Sequence, residues 1–490
     1  MMLLLAAVLA LDADAVEANT SRERLASLAL AHGTVTLAQP VDAGALPELS
    51  SLPALCRVAV TLKPSADSDI KMELWMPAAN WNGKFQAVGN GAFSGSIATA
   101  AMAAALRRGY ATASTDTGHT GNTASFAAGH PEKVVDFGWR AVHETAVAAK
   151  AIVAAFYATV PAHSYFTGCS AGGRQALKEA QRFPDDFDGI VAGAPGLDWT
   201  GRAAQAVRVA QATEMSEAAR LSAADVRLLH TAVLEACDAL DGVKDGVIEN
   251  PKRCTFDPAA LQCTATRTSS CLTDAQVRTA TLLYAGRVNP KTSREITALE
   301  RGSELGWTDR GWTASARATG RDQFRFLVFA NPAWDVDAFD FDADIVRAED
   351  ADRDTVNALD PNLKPFFDRG GKLIQYHGWN DPQISPGNST QYYDRVAQAL
   401  GASRLAASYR LFMAPGMAHC GGGEGPNSFD MLSALERWVE QGAAPEQIVA
   451  SRVADGRSVR TRPLCPYPQV AIYKGAGSID DAASFSCGAP

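Results

Sequence analysis

The sequence predicts an α/β fold: a mostly parallel sheet interrupted by a large helical insertion. Three observations predict it. Short β-type runs alternate with helix-like stretches from about Val58 onward, the pattern of strand–helix–strand units. The same rhythm resumes late, from Lys372. Between about Asp198 and Pro361 the chain instead carries helical segments, four of the nine cysteines and several Trp, with no strand rhythm.

Taken in order, residues 2–11 (MLLLAAVLAL) form an apolar run of signal-peptide length, and Ala13-Asp14-Ala15 offers a small-x-small cleavage site. No basic residue precedes the run, so residues 1–15 read as a weak signal peptide. Strands are expected at Val58–Leu62, Ile70–Trp75 and Lys84–Val88, the last ending in Gly89-Asn90-Gly91. A helix at Ile97–Arg108, a strand at Tyr110–Ser114, a helix at Trp139–Tyr157, a strand at Ser164–Thr167 and a helix at Arg174–Phe183 follow. After the insertion come a strand at Lys372–Tyr376, a helix at Ser389–Leu400, a strand at Tyr409–Met413 and a helix at Ser428–Gln441. The core therefore occupies residues 16–197 and 360–490, and the insertion 198–359.

The 490 residues are 47% apolar and 20% charged, which excludes disordered and fibrous classes. With 45 basic against 54 acidic residues the net charge is −9, the wrong sign for a nucleic-acid surface or an anionic membrane. The longest later apolar run, Ile97–Leu106, is ten residues, too short to span a bilayer. A soluble mature protein with a small-molecule ligand is expected, monomeric or homodimeric, with neither nucleic acid nor membrane as partner. Nine cysteines allow several bridges and leave at least one thiol unpaired or paired outside the chain.

The chemistry centres on Gly168-Cys169-Ser170-Ala171-Gly172-Gly173, which follows the strand-like Tyr165-Phe166-Thr167 and opens a helix. Strand, sharp turn and helix are the context that G-x-S-x-G requires to present a nucleophilic serine, as in α/β-hydrolases. A serine hydroxyl is a weak nucleophile and needs a histidine base oriented by an acid. In this fold the chain order is Ser, acid, His. Of the histidines, His230, His377 and His419 follow Ser170. His230 falls in the helical insertion, where a packed or surface role is expected. His377 ends a strand, and the loop behind it holds Asp381; His419 lies in the loop after Arg410–Met413. Asp381 is read as acid and His419 as base.

Cys169 precedes the nucleophile and Cys420 follows the base. A bridge between them would bring Ser170 and His419 together, because a disulfide holds its Cα atoms about 4.4–6.8 Å apart. The oxyanion hole calls for the backbone N–H of Ala171 and one from the glycine-rich loop after an early strand, read as Gly91 or its neighbour. In the insertion, Asp238, Asp241 and Asp245 stand within eight residues beside Gly242 and Gly246. Such spacing suits Ca²⁺, or else a solvated acidic turn; no EF-hand is implied, since its bidentate Glu is missing.

The nucleophile segment, the run Phe183–Pro195, and the stretches Val88–Phe93, Thr115–His119, Gly129–Lys133, Tyr376–Asp381 and Met417–Cys420 together resemble the tannase and feruloyl esterase family. The family also includes the hydrolase of mono(2-hydroxyethyl) terephthalate. The resemblance implies a triad of Ser170, Asp381 and His419 over a Cys169–Cys420 bridge. It implies structural Ca²⁺ held by Asp238, Asp241 and Asp245 and the carbonyls of Val243 and Val247, with no organic cofactor. It implies the pairs Cys237–Cys254, Cys263–Cys271 and Cys465–Cys487. A further family bridge needs a cysteine before Cys56, and this chain has none, so Cys56 is the expected free thiol and the N-terminal segment less firmly tied. The insertion becomes a lid over an aromatic acyl group, with Trp307, Trp312, Arg321, Phe324 and Phe329 as contact candidates.

The expected activity is a serine esterase cleaving esters of aromatic carboxylic acids (feruloyl, galloyl, hydroxybenzoyl or related) through an acyl-enzyme. The alternatives are a serine peptidase on the same fold and a calcium-dependent binding protein with a dead core. Several disulfides suggest a secreted or periplasmic location.

Overall fold

The structure is a computed structural model. It describes residues 24–490 apart from 47–48, 94, 215, 267–268 and 308–311, and apart from the side chains of 214 and 312–316. The proposed signal peptide lies outside the described residues. Nine strands form one sheet: β1 (Gly33–Val41), β2 (Leu55–Leu62), β3 (Ile70–Pro77), β4 (Lys84–Val88), β5 (Ala111–Thr115), β6 (His163–Cys169), β7 (Gly189–Gly193), β8 (Lys372–Gly378) and β9 (Tyr409–Ala414). Their spatial order is β1-β2-β3-β5-β4-β6-β7-β8-β9. The first three ladders in that order are antiparallel and the remaining five parallel.

Side-chain alternation explains why the parallel half is covered on both faces. Phe166, Ile190 and Leu373 point to one face, where they join α-helical side chains such as Ile152, Leu177 and Val396. Their chain neighbours Tyr165, Val191 and Ile374 point to the other, against Leu435 and Trp438. Each such fully buried side chain stabilises the fold by roughly 1.5–3 kcal/mol. The covering helices of the first core segment are α1 (Thr99–Arg107), α2 (Ala141–Tyr157) and α3 (Ala171–Arg182).

The insertion leaves the sheet after β7 and returns at β8, which are hydrogen-bonded neighbours, Ile190 facing Leu373. It contains α4 (Trp199–Glu214), α5 (Ala223–Cys237), α6 (Asp274–Tyr284), α7 (Trp312–Asp322) and α8 (Phe341–Asp352). Capping boxes start two of them: Ser222 with Asp225 at α5, and Thr273 with Gln276 at α6. Each box satisfies two otherwise unpaired N–H groups. The insertion buries its own apolar clusters, one around Leu229, Leu272 and Trp307 and another around Phe324, Trp334 and Phe339.

The core resumes with α9 (Gly387–Leu400) and α10 (Met431–Gln441). A hairpin of Ile448–Ala454 with Arg457–Leu464 and a ladder of Val470–Tyr473 with Phe485–Gly488 close the chain. Strand β1, strand β7 and these C-terminal ladders add to the elements read from sequence. The described N-terminal strand is tied by its antiparallel register on β2, Pro40 opposite Cys56.

Candidate active site

Strand β6 ends at Cys169 and α3 begins at Ala171, so Ser170 alone makes the turn. Its backbone sits at φ 66° and ψ −121°, a conformation costing a residue with a Cβ on the order of 1–3 kcal/mol. Neighbours hold it there. The Ser170 N–H donates to the Gly193 carbonyl, and the N–H groups of Arg174 and Gly196 donate to the Ser170 carbonyl. Close packing dictates the glycines: a Cβ on Gly168 would stand 2.5 Å from the Gly172 carbonyl carbon, and one on Gly173 would stand 2.2 Å from the Gly193 oxygen. Ser170 thus caps the N-terminus of α3, where unpaired N–H groups and the helix dipole favour negative charge.

The loop after β4 docks on this turn. Gly172 N–H donates to the Asn90 carbonyl at 2.8 Å. Gln175 grips Asn90 twice, its Oε1 accepting from the Asn90 N–H at 3.0 Å and its Nε2 donating to Asn90 Oδ1 at 3.1 Å. His119 Nε2 donates to the Phe93 carbonyl at 2.7 Å, and its ring stacks on Phe126 at 3.9 Å. Among the described residues, the N–H groups of Ala171 and Gly91 donate to no protein acceptor, and a Cβ on Gly91 would meet nothing within 4 Å.

The loops after β8 and β9 bring Asp381 and His419 together. His419 Nδ1 lies 2.7 Å from Asp381 Oδ2. Asp381 is fully buried, and its other oxygen accepts the N–H groups of Gln383 and Ile384 at 2.8 and 3.0 Å. Burial opposes its charge, but the neighbouring His419 and His377 outweigh that and hold the carboxyl well below the usual range. The Cys169–Cys420 disulfide, Cα atoms 6.0 Å apart, ties the Ser170 turn to the His419 loop. Cys420 also adopts a left-handed φ of 59°. Ser170, Asp381 and His419 all follow the carboxyl ends of parallel strands, where α/β sheets bind ligands.

The insertion rests on both loops. A Cβ on Gly302 would come 2.8 Å from Asn380 Oδ1, and one on Gly306 2.4 Å from Pro382. His230 of α5 is 5% exposed and spans the gap: Nδ1 meets Glu304 at 2.7 Å, and Nε2 meets Glu424, beyond His419, at 2.8 Å. Burial opposes its charge, yet the hydrogen bonds to Glu304 and Glu424 push the imidazole up to about 9.

Three of the aromatic acyl-contact candidates take part in the insertion's own packing. Trp307 is buried in the insertion's own core, stacked edge-on against Tyr284 at 4.8 Å with its Nε1 donating to Ser303. Phe324 is fully buried beside Trp334 and Phe339, and Phe329 stacks on Trp334. These aromatics pack the insertion, a role that helical spacing does not distinguish from ligand contact. Arg321 lies 3.8 Å from Asp335. Trp312 begins α7, but its side chain lies outside the described ones. Phe126, Phe326 and Leu327, half-buried against the cluster that holds Phe93 and Ala171, went unsingled in the sequence. So did Gln175 as the holder of Asn90.

The remaining pairs are Cys237–Cys254, Cys263–Cys271 and Cys465–Cys487, and Cys56 is free. In the acidic loop, Asp238 accepts the N–H groups of Asp245 and Gly246, Asp241 that of Val243, and Asp245 that of Val247. Asp238 is 4% exposed and the Asp245 side chain 1%. Burial and the neighbouring Asp245 push Asp241 up. Arg462 and Arg460 both pair with Asp245, so two cations face the three carboxylates of Asp238, Asp241 and Asp245; the remaining negative charge and the all-oxygen donor set fit a hard dication. A second cluster, His143, Glu179 and Asp186, has ligand atoms within 4.8 Å of one another. Lys150 stands beside it, donating to the Asp186 carbonyl, and burial together with the neighbouring Asp186 pushes Glu179 well up, toward its neutral form.

A profile described as "Tannase and feruloyl esterase" matches residues 56–488. An uncharacterised esterase of Xanthomonas campestris is 39% identical, with 94% of this chain and 90% of that protein covered. The mono(2-hydroxyethyl) terephthalate hydrolase of Piscinibacter sakaiensis is 37% identical, with 90% and 86% covered. The crystal structure of feruloyl esterase B from Aspergillus oryzae superposes with a TM-score of 0.90 at 32% identity, covering 95% of this chain and all of that one. The protein is thus a carboxylic ester hydrolase with an α/β fold. It belongs to the tannase and feruloyl esterase family.

Proposed function

We propose that the chain hydrolyses esters of aromatic carboxylic acids through an acyl-enzyme on Ser170, using an α/β-hydrolase core and the insertion as a lid. One observation carries the reading: Asp381 holds His419 at 2.7 Å while a disulfide ties that loop to the strained Ser170 turn. His419 Nε2 takes the Ser170 proton as Oγ attacks the ester carbonyl. The oxyanion rests on the N–H groups of Ala171 and Gly91, a preorganised pair of donors. The tetrahedral intermediate collapses, the alcohol leaves with the proton from His419, and water then repeats the sequence to release the acid. Phe126, Phe326 and Leu327 supply the apolar wall for an aryl acyl group beside Ala171.

Asp238, Asp241 and Asp245 and the carbonyls of Val243 and Val247 would hold Ca²⁺, whose part is structural. A Cβ on Gly416 would come 3.2 Å from Val247 Cγ1, so this loop buttresses the chain leading to His419. Four disulfides suit an oxidising compartment, and we assign a secreted or periplasmic location. The test is a panel of methyl ferulate, methyl gallate, 4-hydroxybenzoate and mono-terephthalate esters beside the matching anilides. Turnover of at least one aryl ester, with the anilides untouched, is expected; cleavage of anilides alone would contradict an esterase.

A further inference from the structure

Asp381 carries a second imidazole that a triad does not require. His377, on β8, is fully buried, and its Nε2 lies 3.1 Å from both Asp381 Oδ2 and the Ile384 carbonyl. Both neighbours only accept, so Nε2 carries a proton. Its Nδ1 lies 2.7 Å from Ser389 Oγ, a hydroxyl able to donate to this nitrogen and so favour the tautomer with its proton on Nε2. The oxygen His377 reaches is the same one that His419 Nδ1 reaches.

From this geometry we infer that His377 is a positioning residue for the acid, with Ser389 setting its tautomer. The inference rests on Ser170, His419 and Asp381 acting as the triad. Two backbone N–H groups fix Oδ1 of Asp381 and two imidazoles fix Oδ2, so the carboxylate cannot rotate away from His419. A second N–H donor on Oδ2 also tempers its basicity, so that the proton from Ser170 stays on His419. Among the described residues, Arg202 of α4 also feels the charge of Asp381, and its guanidinium donates to Thr319. A histidine needed only to fill space would serve with any partners; this one shares the catalytic oxygen.

The experiment compares wild type, His377→Leu, His377→Gln and Ser389→Ala for kcat, KM, the pH profile of kcat/KM, thermal unfolding and labelling of Ser170 by a fluorophosphonate. His377→Leu is expected to lower kcat about 10–100-fold with KM nearly unchanged. Its acid limb should move to higher pH, because an Asp381 relieved of one donor stabilises the His419 imidazolium more strongly. His377→Gln, which restores an N–H, should recover most of the rate. Ser389→Ala keeps the ring but loses the tautomer lock, and should slow turnover about 3–10-fold with the limb shifted the same way. A folded His377→Leu at the wild-type rate, or Ser389→Ala with the wild-type rate and profile, would overturn the inference. If His377→Leu does not fold, Ser389→Ala decides. Wild type that is unlabelled at Ser170 overturns the triad and the inference together, whereas labelled wild type with indifferent variants overturns the inference alone.

Discussion

Cys169 and Cys420 are bonded across 251 positions of chain, with their Cα atoms 6.0 Å apart. They join the residue before the strained Ser170 to the residue after His419. Replacing both by alanine frees the base loop and its run Gly421-Gly422-Gly423. The double variant should lose about 2–5 kcal/mol of stability. Its kcat should fall at least about tenfold through misplacement of the base, measured under conditions where circular dichroism shows it folded.

His230 gives the pH dependence of stability. Its folded imidazole is pushed from 6.5 up to about 9 by Glu304 and Glu424 against burial. A raised base stabilises the fold fully below pH 6.5 and stops doing so as the pH climbs through 9, a loss of about 3 kcal/mol before solvent screening and on the order of 2 kcal/mol after it. Glu424 is lowered, chiefly by its hydrogen bond to His230, so its share is present above about 4.5 and fades as the pH falls further. Denaturant titrations from pH 4 to 9.5 should show the alkaline decline in wild type and a flatter one in His230→Gln.

Chelation tests the acidic loop. Added EGTA should lower the melting temperature by several degrees, and restored Ca²⁺ should reverse it, as expected for a ligand that binds only the folded state. Asp238→Asn should melt at the chelated temperature and gain nothing from Ca²⁺. A wild-type melt indifferent to both reagents would remove the metal.

Gln175 grips Asn90 through two hydrogen bonds. Gln175→Leu cuts both and loosens the loop bearing the Gly91 N–H. The expected result is a kcat lowered about 10–100-fold with KM little changed, since an oxyanion donor acts in the transition state. Equal losses in kcat and gains in KM would instead point to a collapsed pocket.

Much of the core was legible because its signals are local. Strand Lys84–Val88 was bounded correctly by its own composition and the following Gly89-Asn90-Gly91. Ser170 announced itself by its flanking strand and helix, and chain order then left few choices for Asp381 and His419. Strand β7, Gly-Ile-Val-Ala-Gly, was hidden because its glycines read as turns; one of them, Gly193, packs flat against Tyr376. Strand β1 was hidden because its half-exposed alternation is faint. The supports of the site depend on distant pairings: Gln175 with Asn90 is separated by 85 positions and His230 with Glu304 by 74. Spacing along one chain cannot reveal them. The packing of Phe324 and Trp307 within the insertion was hidden for a related reason, since each has the same sequence signature whether it fills a core or meets a ligand.

Ser170 as the acylated nucleophile can be tested most directly by rapid-quench mass spectrometry with p-nitrophenyl ferulate. A p-nitrophenol burst and a feruloyl adduct on the peptide containing Ser170 are expected, both lost in Ser170→Ala with its fold intact. Full turnover by Ser170→Ala, or an adduct on another residue, would contradict it.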